Sequence, residues 1–383
     1  MRKRQRIYVM LNDSEFDRCI YENVSVYFSE KASEIEVSLS LDELNADTAR
    51  TSLGIITRVL SARDKRFLRT YDVPVVNVSG FLESPGFPSV VSDHIARGRI
   101  VAEHLLSRRF HNFGYYGTSD TNLEQQSFQQ RIHASGFQCA LQSHVPNKYI
   151  FGKLNSAQQR DIRKWLKHLP KPIGIFCAND RYAWELSKAC DELDIIVGRD
   201  VGIVGSGNYE FFCMTGNPHL SSTDNRPDRI GYEAAALLLR LIRGKKTSSA
   251  PILIPPTLVA RASSDIFVTE DSYVSAAIQY IQQHISETLS PQKIFKHIPL
   301  SRTALERRFR KQLDYSILET IHLLKIDHIK HLLISTSKNI EDIANTSGLS
   351  GGANMTTLFR EKVGITPSEY RNRFQGNMPL SKA

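Results

Sequence analysis

Along residues 5–260 the chain alternates short apolar runs with longer stretches in which apolar positions recur every three to four residues. The runs at 7–11, 53–57, 73–78, 113–116, 173–177 and 201–204 have the length of strands. The stretches at 14–30, 62–70, 93–108, 156–169, 180–193 and 227–243 have the length and period of helices. Such alternation predicts βα units around a largely parallel sheet. Polar or glycine-containing turns close the strands: Asn12-Asp13-Ser14, Ser79-Gly80, Gly117-Thr118-Ser119, Asn179-Asp180 and Gly205-Ser206-Gly207-Asn208. In open α/β sheets ligands bind at the carboxyl ends of the strands, so these turns are the candidate pocket. Near Arg261 the alternation stops, and Ala262-Ser263-Ser264-Asp265 with Glu270-Asp271 reads as a polar connector. From Tyr273 the periodicity is helical throughout. The expected organisation is an α/β domain over 5–260, a linker over 261–272 and an all-α domain over 273–375.

The helical part contains a repeat. Ile294, Leu300-Ser301, Leu305 and Phe309 recur as Ile343, Leu349-Ser350, Met355 and Phe359, with one residue inserted before Met355. Asp314 and Gly364 follow each Phe at the same distance, and then come Ser316 and Thr366. Two copies of one pattern predict two helix-turn-helix units. The stretch between them, 316–333, is amphipathic; as a helix of about 18 residues it is ~27 Å long, close to the ~34 Å turn of B-DNA.

In the first copy, Ser301 stands where an N-cap belongs. Leu305 and Phe309 fall on one side of the helix, with Thr303, Glu306, Arg307 and Arg310 on the other and Arg302 on the flank. Arg can pair with guanine edges and Glu can accept from cytosine N4. Arg302, Thr303, Glu306, Arg307 and Arg310 are therefore candidate groove contacts, and Arg308 and Lys311 candidate phosphate contacts. Ser350, Gly351, Asn354, Thr356 and Thr357 are the candidates of the second copy. A lone solvated surface helix carries the same kind of face; the repetition is what favours DNA.

Composition adds a little. The 383 residues are 41% hydrophobic and 23% charged, with a formal net charge of +9, which suits a soluble protein with a polyanionic partner. Cys19, Cys139, Cys177, Cys190 and Cys213 are odd in number, widely spaced and lack C-x-x-C, against a disulfide framework or zinc site and for a reducing compartment. The basic N-terminus precedes an apolar run too short for a signal peptide, and no apolar stretch has membrane-spanning length, so a cytoplasmic location without membrane association is expected.

The motifs carry two resemblances. Residues 293–371 resemble the AraC-type DNA-binding domain, through L-S-R-T-A-L-E-R-R-F-R in the first unit and I-x-x-I-A-x-x-x-G-L-S with F-R-E-K-V-G-I-T-P-S-E-Y-R in the second. Gly364 permits a helix C-cap and Pro367 suits the first turn of a last helix. Pro299 stands where the first turn usually has Gly, Met355 where a Phe is usual and Thr357 where Arg is frequent. Gly351, Gly352, Ala353 and Asn354 replace an ordinary helix start, and glycines there cost roughly 1 kcal/mol each if helical. Weaker, less specific binding is expected of the second unit.

Residues 5–260 resemble the LacI-type sensor, through Asp93, Gly98, Ala102, His104 and Leu105, then F-C-A-N-D ending at Asp180, D-V-G-I-V-G ending at Gly205, and I-G-Y-E-A-A-x-L-L-L from Ile230. The resemblance implies a two-lobed, periplasmic-binding-protein-like α/β sensor followed by an all-α domain with two helix-turn-helix units, the order found in xylose-responsive regulators. Carried over as ligand-binding candidates are Asn12, Asp17, Arg18, Asp180, Asn208 and Asn225, side chains of the kind that satisfy sugar hydroxyls. Two positions depart: Gly207 stands where an Asp is common and Glu124 where an Arg is usual. An N-cap role for Asp180 and a plain surface pair for Asp17 and Arg18 are the competing readings.

No nucleophile elbow, P-loop, dinucleotide fingerprint or H-E-x-x-H is present. His322, His328 and His331 lie along the amphipathic stretch, where polar faces or DNA phosphates rather than a metal are the expected neighbours, and Cys177 and Cys190 have no ligand spacing. No enzymatic activity, cofactor or metal is expected. The reading is a sequence-specific transcriptional regulator with three expected partners: an operator duplex, a small polar effector of carbohydrate type and a second copy of itself. RNA polymerase is a candidate further partner. The alternatives are a regulator whose sensor has lost its ligand and serves as a dimerisation or partner surface, and a sugar-binding protein or enzyme with no DNA role.

Overall fold

The computed structural model describes residues 5–40, 52–117, 128–146, 150–151, 162–248, 250–269 and 271–374. Thr118, Ser119 and Glu124 lie outside them. The chain divides into two compact units, one running to Ile266 (Ser107–Arg109 excepted) and one from Phe267.

The strands of the first unit are β1 (Gln5–Met10), β2 (Ile35–Ser40), β3 (Gly54–Thr57), β4 (Val75–Asn77), β5 (Val90–Ser92), β6 (Asn112–Tyr116), β7 (Ile150–Phe151), β8 (Ile173–Cys177), β9 (Val201–Ser206), β10 (Ser221–Asp224), β11 (Ile252–Ile254) and β12 (Thr257–Val259). Its helices are α1 (Glu15–Lys31), α2 (Ala62–Leu68), α3 (His94–Ser107), α4 (Phe128–Gln142), α5 (Ile162–His168), α6 (Asp180–Asp191), α7 (Glu210–Met214) and α8 (Pro227–Ile242). Of the two large sheets one runs β2-β1-β3-β4 and the other β12-β10-β9-β8-β6-β7, while β11 and β5 form a two-stranded sheet; all neighbours are parallel except β10 and β12. Every residue of β8 is buried, as expected of a parallel strand covered on both faces.

Each sheet has its own core. Ile7, Val9, Ile20, Val24, Ile56, Ala234 and Leu238 pack α1 and α8 onto the first. Leu166, Ile175, Ala183, Leu186 and Ile203 pack α5 and α6 onto the second. Gly231 lets α8 approach α1, since a Cβ there would stand 2.5 Å from the Ile20 carbonyl oxygen. The chain crosses between the lobes three times, from β5 to α3, from β10 to α8 and from β11 to β12. This is the two-lobed architecture expected.

Strands β2, β5, β7, β11 and β12 and helices α4 and α7 stand outside the predicted elements. The expected polar connector also differs at its start. Ser263 and Ser264 are fully buried. The Ser263 hydroxyl accepts from Ser221 N at 2.8 Å and donates to the Ile203 carbonyl at 2.7 Å. Ser264 Oγ lies 2.8 Å from His104 Nε2. Serines whose hydroxyls are satisfied can be buried like small apolar residues, so this stretch is an inner seam of the second lobe.

The second unit comprises α9 (Ser272–Gln283), α10 (Pro291–His297), α11 (Arg302–Leu313), α12 (Ile317–Ser335), α13 (Ile340–Thr346), α14 (Gly352–Val363) and α15 (Pro367–Phe374). Helices α10 and α11, and again α13 and α14, form the two helix-turn-helix units. The repeat is physical: Asp314 (φ 58°) and Gly364 (φ 85°) both end their helix in the left-handed region. Ser316 with Glu319 and Thr366 with Glu369 both close capping boxes, each carboxylate accepting the cap N–H at 2.7 Å. Helix α12 serves both units. Its Ile317, Ile321 and Leu324 join Ile294, Leu305 and Phe309 in one core, and its Ile326, Ile329 and Leu333 join Ile343, Met355 and Phe359 in the other.

Candidate effector site and nucleic-acid interface

At the carboxyl ends of β1 and β3, Asn12, Thr57 and Arg58 line a cavity of about 160 Å³. Asp17 is buried beside it. Its carboxylate accepts from Ser14 Oγ at 2.7 Å and from Arg58 Nη1 at 3.2 Å. Arg18 is exposed and paired with Asp13 at 2.6 Å. Adjacent helix residues point about 100° apart, and the structure does not bring Asp17 and Arg18 together. A second cavity, about 310 Å³, lies at the ends of β6 and β8 among Tyr116, Asn179, Arg181, Tyr182 and Glu185.

Asp180 is not the cap of α6. Asn179 is, its side chain accepting the Tyr182 N–H at 2.9 Å. Asp180 is instead fully buried, accepting from Tyr209 N at 2.8 Å and from the Ser222 hydroxyl. Burial pushes its carboxyl up to about 6 against the pull of those two bonds. Asn208 (φ 56°) accepts from Arg261 Nη2 at 2.8 Å and offers its amide to Asp224 at 3.5 Å. Gly207 has φ 129°, and a Cβ on it would meet the Tyr209 ring at 2.7 Å and Asp180 Oδ2 at 3.1 Å. A carboxylate side chain at 207 has no room in this arrangement. Asn225 Oδ1 is inaccessible to solvent and has no hydrogen-bond partner among the described residues.

In the second unit Arg302, Thr303, Arg307, Arg310 and Lys311 are exposed along α11, and Ser301 caps it, accepting the Ala304 N–H at 3.3 Å. Part of the face is tethered. Glu306 accepts weakly from the Ile317 N–H at 3.4 Å, and Arg308 pairs with Asp271 at 2.5 Å and lies over the Tyr273 ring. Arg310 pairs with Glu319 at 3.0 Å. On α14 the hydroxyls of Thr356 and Thr357 donate back to the carbonyls of Gly352 and Ala353, and Asn354 donates to Ser350. Gly351 (φ 91°) supplies no side-chain cap; Glu341 takes the Gly352 N–H at 2.7 Å instead.

Comparison with known proteins fits this two-part geometry. Residues 102–264 match a family described as a periplasmic binding protein-like domain, and residues 295–373 one described as a helix-turn-helix domain. The xylose operon regulatory protein of Haemophilus influenzae is 28% identical over 382 residues, covering 96% of this chain and 98% of that protein. The Escherichia coli K12 protein of the same name is 26% identical over 385 residues, 97% of each. A solved structure of the xylose-binding transcription activator xylR aligns with a TM-score of 0.61 at 26% identity, over 97% of this chain and 98% of that one. Over nearly its whole length the chain is similar to transcriptional regulators in which a periplasmic binding protein-like domain precedes a helix-turn-helix domain.

In the regulator, one group of side chains near the lobe crossings escaped sequence reasoning. Arg97, in the first turns of α3, is buried and donates to Ser206 Oγ at 3.2 Å, while its Nε has no partner. No carboxylate lies within ion-pair distance of it among the described residues. Burial lowers its guanidinium to about 10, opposed by the more distant Tyr115, Asp180, Tyr209 and Asp224. Ser92 Oγ, both ring nitrogens of His94, His133 Nδ1 and Thr223 Oγ1 are likewise inaccessible and unpartnered. Burial and the neighbouring Arg97 depress both histidines, keeping them neutral. The available signal was Gly98: a Cβ there would stand 2.1 Å from the His133 carbonyl oxygen, so the glycine marks the inward face of α3 beside which Arg97 sits. No helix among the described residues is long and apolar enough to cross a membrane.

Proposed function

We propose that the regulator binds a small sugar between the two lobes of its first unit and reads operator DNA with α11 and α14. The observation that carries the effector is the set of unpartnered, inaccessible polar groups at the crossings: Ser92 Oγ, the His94 ring nitrogens, Arg97 Nε, Thr223 Oγ1 and Asn225 Oδ1. Buried donors and acceptors without partners cost about 1–3 kcal/mol each, and a polyol hydroxyl supplies both functions at once. Asn12 and Asp17 approach from the first lobe, and Asp180 with Asn208 back the second. Xylose is the first sugar to test, because the full-length relatives are named for the xylose operon.

On this reading the sensor spans 5–260, with 261–266 completing its second lobe, and the DNA-binding domain spans 273–375. The regulator is cytoplasmic, acts as a homodimer, contacts RNA polymerase and performs no catalysis. Sugar binding shifts the lobe equilibrium and so favours one arrangement of the DNA-binding domains. A thermal-shift series on the full chain with pentoses, hexoses, deoxysugars and uronic acids tests the effector, with a shift by one pentose expected. Absence of any shift would favour the second reading, a sensor without a ligand. The internal saturation of Asp180 and Asn208 and the closed space at Gly207 are what support that alternative.

A further inference from the structure

Helix α12 feeds two separate cores, and Lys325 sits where they meet, between Leu324 of one and Ile326 of the other. Its side chain is buried. The ammonium donates to the carbonyls of Ile285 at 3.1 Å, Glu287 at 2.8 Å and Gly348 at 3.3 Å, and also to that of Ser347. The first pair lies in the turn that follows α9, on the side of the first helix-turn-helix unit. The second pair lies in the α13–α14 turn of the second unit. Both are helix C-terminal regions, where carbonyls lack intrahelical partners and a cation is favoured.

The same seam is closed by backbone. Gly348 has φ 61°, and a Cβ there would stand 2.0 Å from the Glu287 carbonyl oxygen. The first unit's turn therefore rests directly on the second unit's turn. Continuity of α12 alone would fix the axial distance between the units but leave each free to tilt about its own half of the helix. A shared cation binding carbonyls from both sides removes that freedom.

We propose that Lys325 is a positioning residue that locks the two helix-turn-helix units together, so that α11 and α14 meet the duplex as one rigid reader of fixed spacing. This rests on the reading that both helices contact DNA. Two binding elements held rigidly gain from their connection only at the matching span, whereas a loosened pair tolerates other spans at lower affinity.

The test uses the full chain and a duplex that it enriches from a randomised pool of about 30 base pairs. A second duplex carries one extra base pair between the two protected segments, which displaces them by about 3.4 Å and rotates them by about 35°. The wild type should lose about ten-fold or more in affinity on insertion. Lys325→Met should bind the enriched duplex about ten-fold more weakly and treat the two duplexes alike within about two-fold. Lys325→Arg, which can still donate to several carbonyls, should restore discrimination. If Lys325→Met does not fold, Lys325→Gln, with two N–H donors, takes its place. A wild type indifferent to the insertion, or a variant as discriminating as the wild type, overturns the lock while leaving DNA reading intact. Failure to enrich any duplex overturns DNA reading itself.

Discussion

The Asp180 carboxylate reaches from the start of α6 to the Tyr209 backbone N–H, 2.8 Å away, tying the α6 start to the loop after β9. The tie is made by a group whose ionisation burial opposes. Its folded value near 6 lies above the ordinary carboxylate value, so between about pH 4 and 6 the unfolded chain holds fewer protons than the folded one. The stability of the first unit should fall as pH rises through that window, by up to about 3 kcal/mol. Asp180→Asn should lack this slope. Urea denaturation at pH 4.5 and 7 checks it: the difference between wild type and variant should move toward the wild type at the lower pH, and a flat difference would show that Asp180 titrates normally.

Arg97 and the effector can be separated from stability. A buried guanidinium without a close carboxylate contributes little to folding, and an apolar replacement is often neutral or stabilising. Arg97→Met should therefore melt within about 1 kcal/mol of the wild type or above it. Its sugar-induced thermal shift should disappear, reflecting a loss of ten-fold or more in affinity. An unchanged shift would remove Arg97 from the effector site.

Arg307 and Arg308 are neighbours with different prospects. Arg307 is exposed, whereas Arg308 is held by Asp271 and Tyr273. Arg307→Ala should cost about 1–3 kcal/mol at a specific site and little on unrelated duplex if it reads a base. A uniform loss across sequences would make it a phosphate contact. Arg308→Ala should lower stability by up to about 1 kcal/mol, given its half-exposed setting. On α14, Thr357→Ala should change affinity less than about three-fold, because the hydroxyl is already spent on the Ala353 carbonyl. Competition binding on two unrelated duplexes measures Arg307→Ala and Thr357→Ala, and urea denaturation measures Arg308→Ala.

Gly348 and Gly364 both occupy the left-handed region, yet only one is crowded. Around Gly364 a Cβ would meet nothing within 4 Å, so Gly364→Ala should cost roughly 1–2 kcal/mol, the backbone term alone. Gly348→Ala adds a clash with the Glu287 backbone and should cost more than about 3 kcal/mol. Chemical denaturation of the two variants side by side gives the difference, and equal losses would argue against a tight seam.

The strongly apolar strands β1, β3, β8 and β9 and the two helix-turn-helix units were legible because each carries its own local period. Strand β2 carries a period too, since I-E-V-S-L-S alternates apolar and polar residues as a half-buried strand does, but a search for continuous apolar runs passes over it. Strands β5, β7, β11 and β12 have two or three residues each, too few for any periodicity. The serines at 263 and 264 looked like a connector because polarity alone does not reveal that their hydroxyls are satisfied indoors. Of the candidate site, Asn12 and Asp180 lie in the turns that close predicted strands, and Asp17 came with the LacI-type resemblance. Arg97 could not: on a helix an arginine normally faces water, and only the burial around α3 turns it inward.

The double membership of α12 also sets how this regulator can be taken apart. Its first half is finished by Leu305 and Phe309, and its second half by Met355 and Phe359. A chain ended after Thr336 would leave Ile326, Ile329 and Leu333 as a bare apolar stripe. Neither reading head can thus be removed or exchanged without stranding half a helix, and recombination with related regulators has to move the pair as a single cassette.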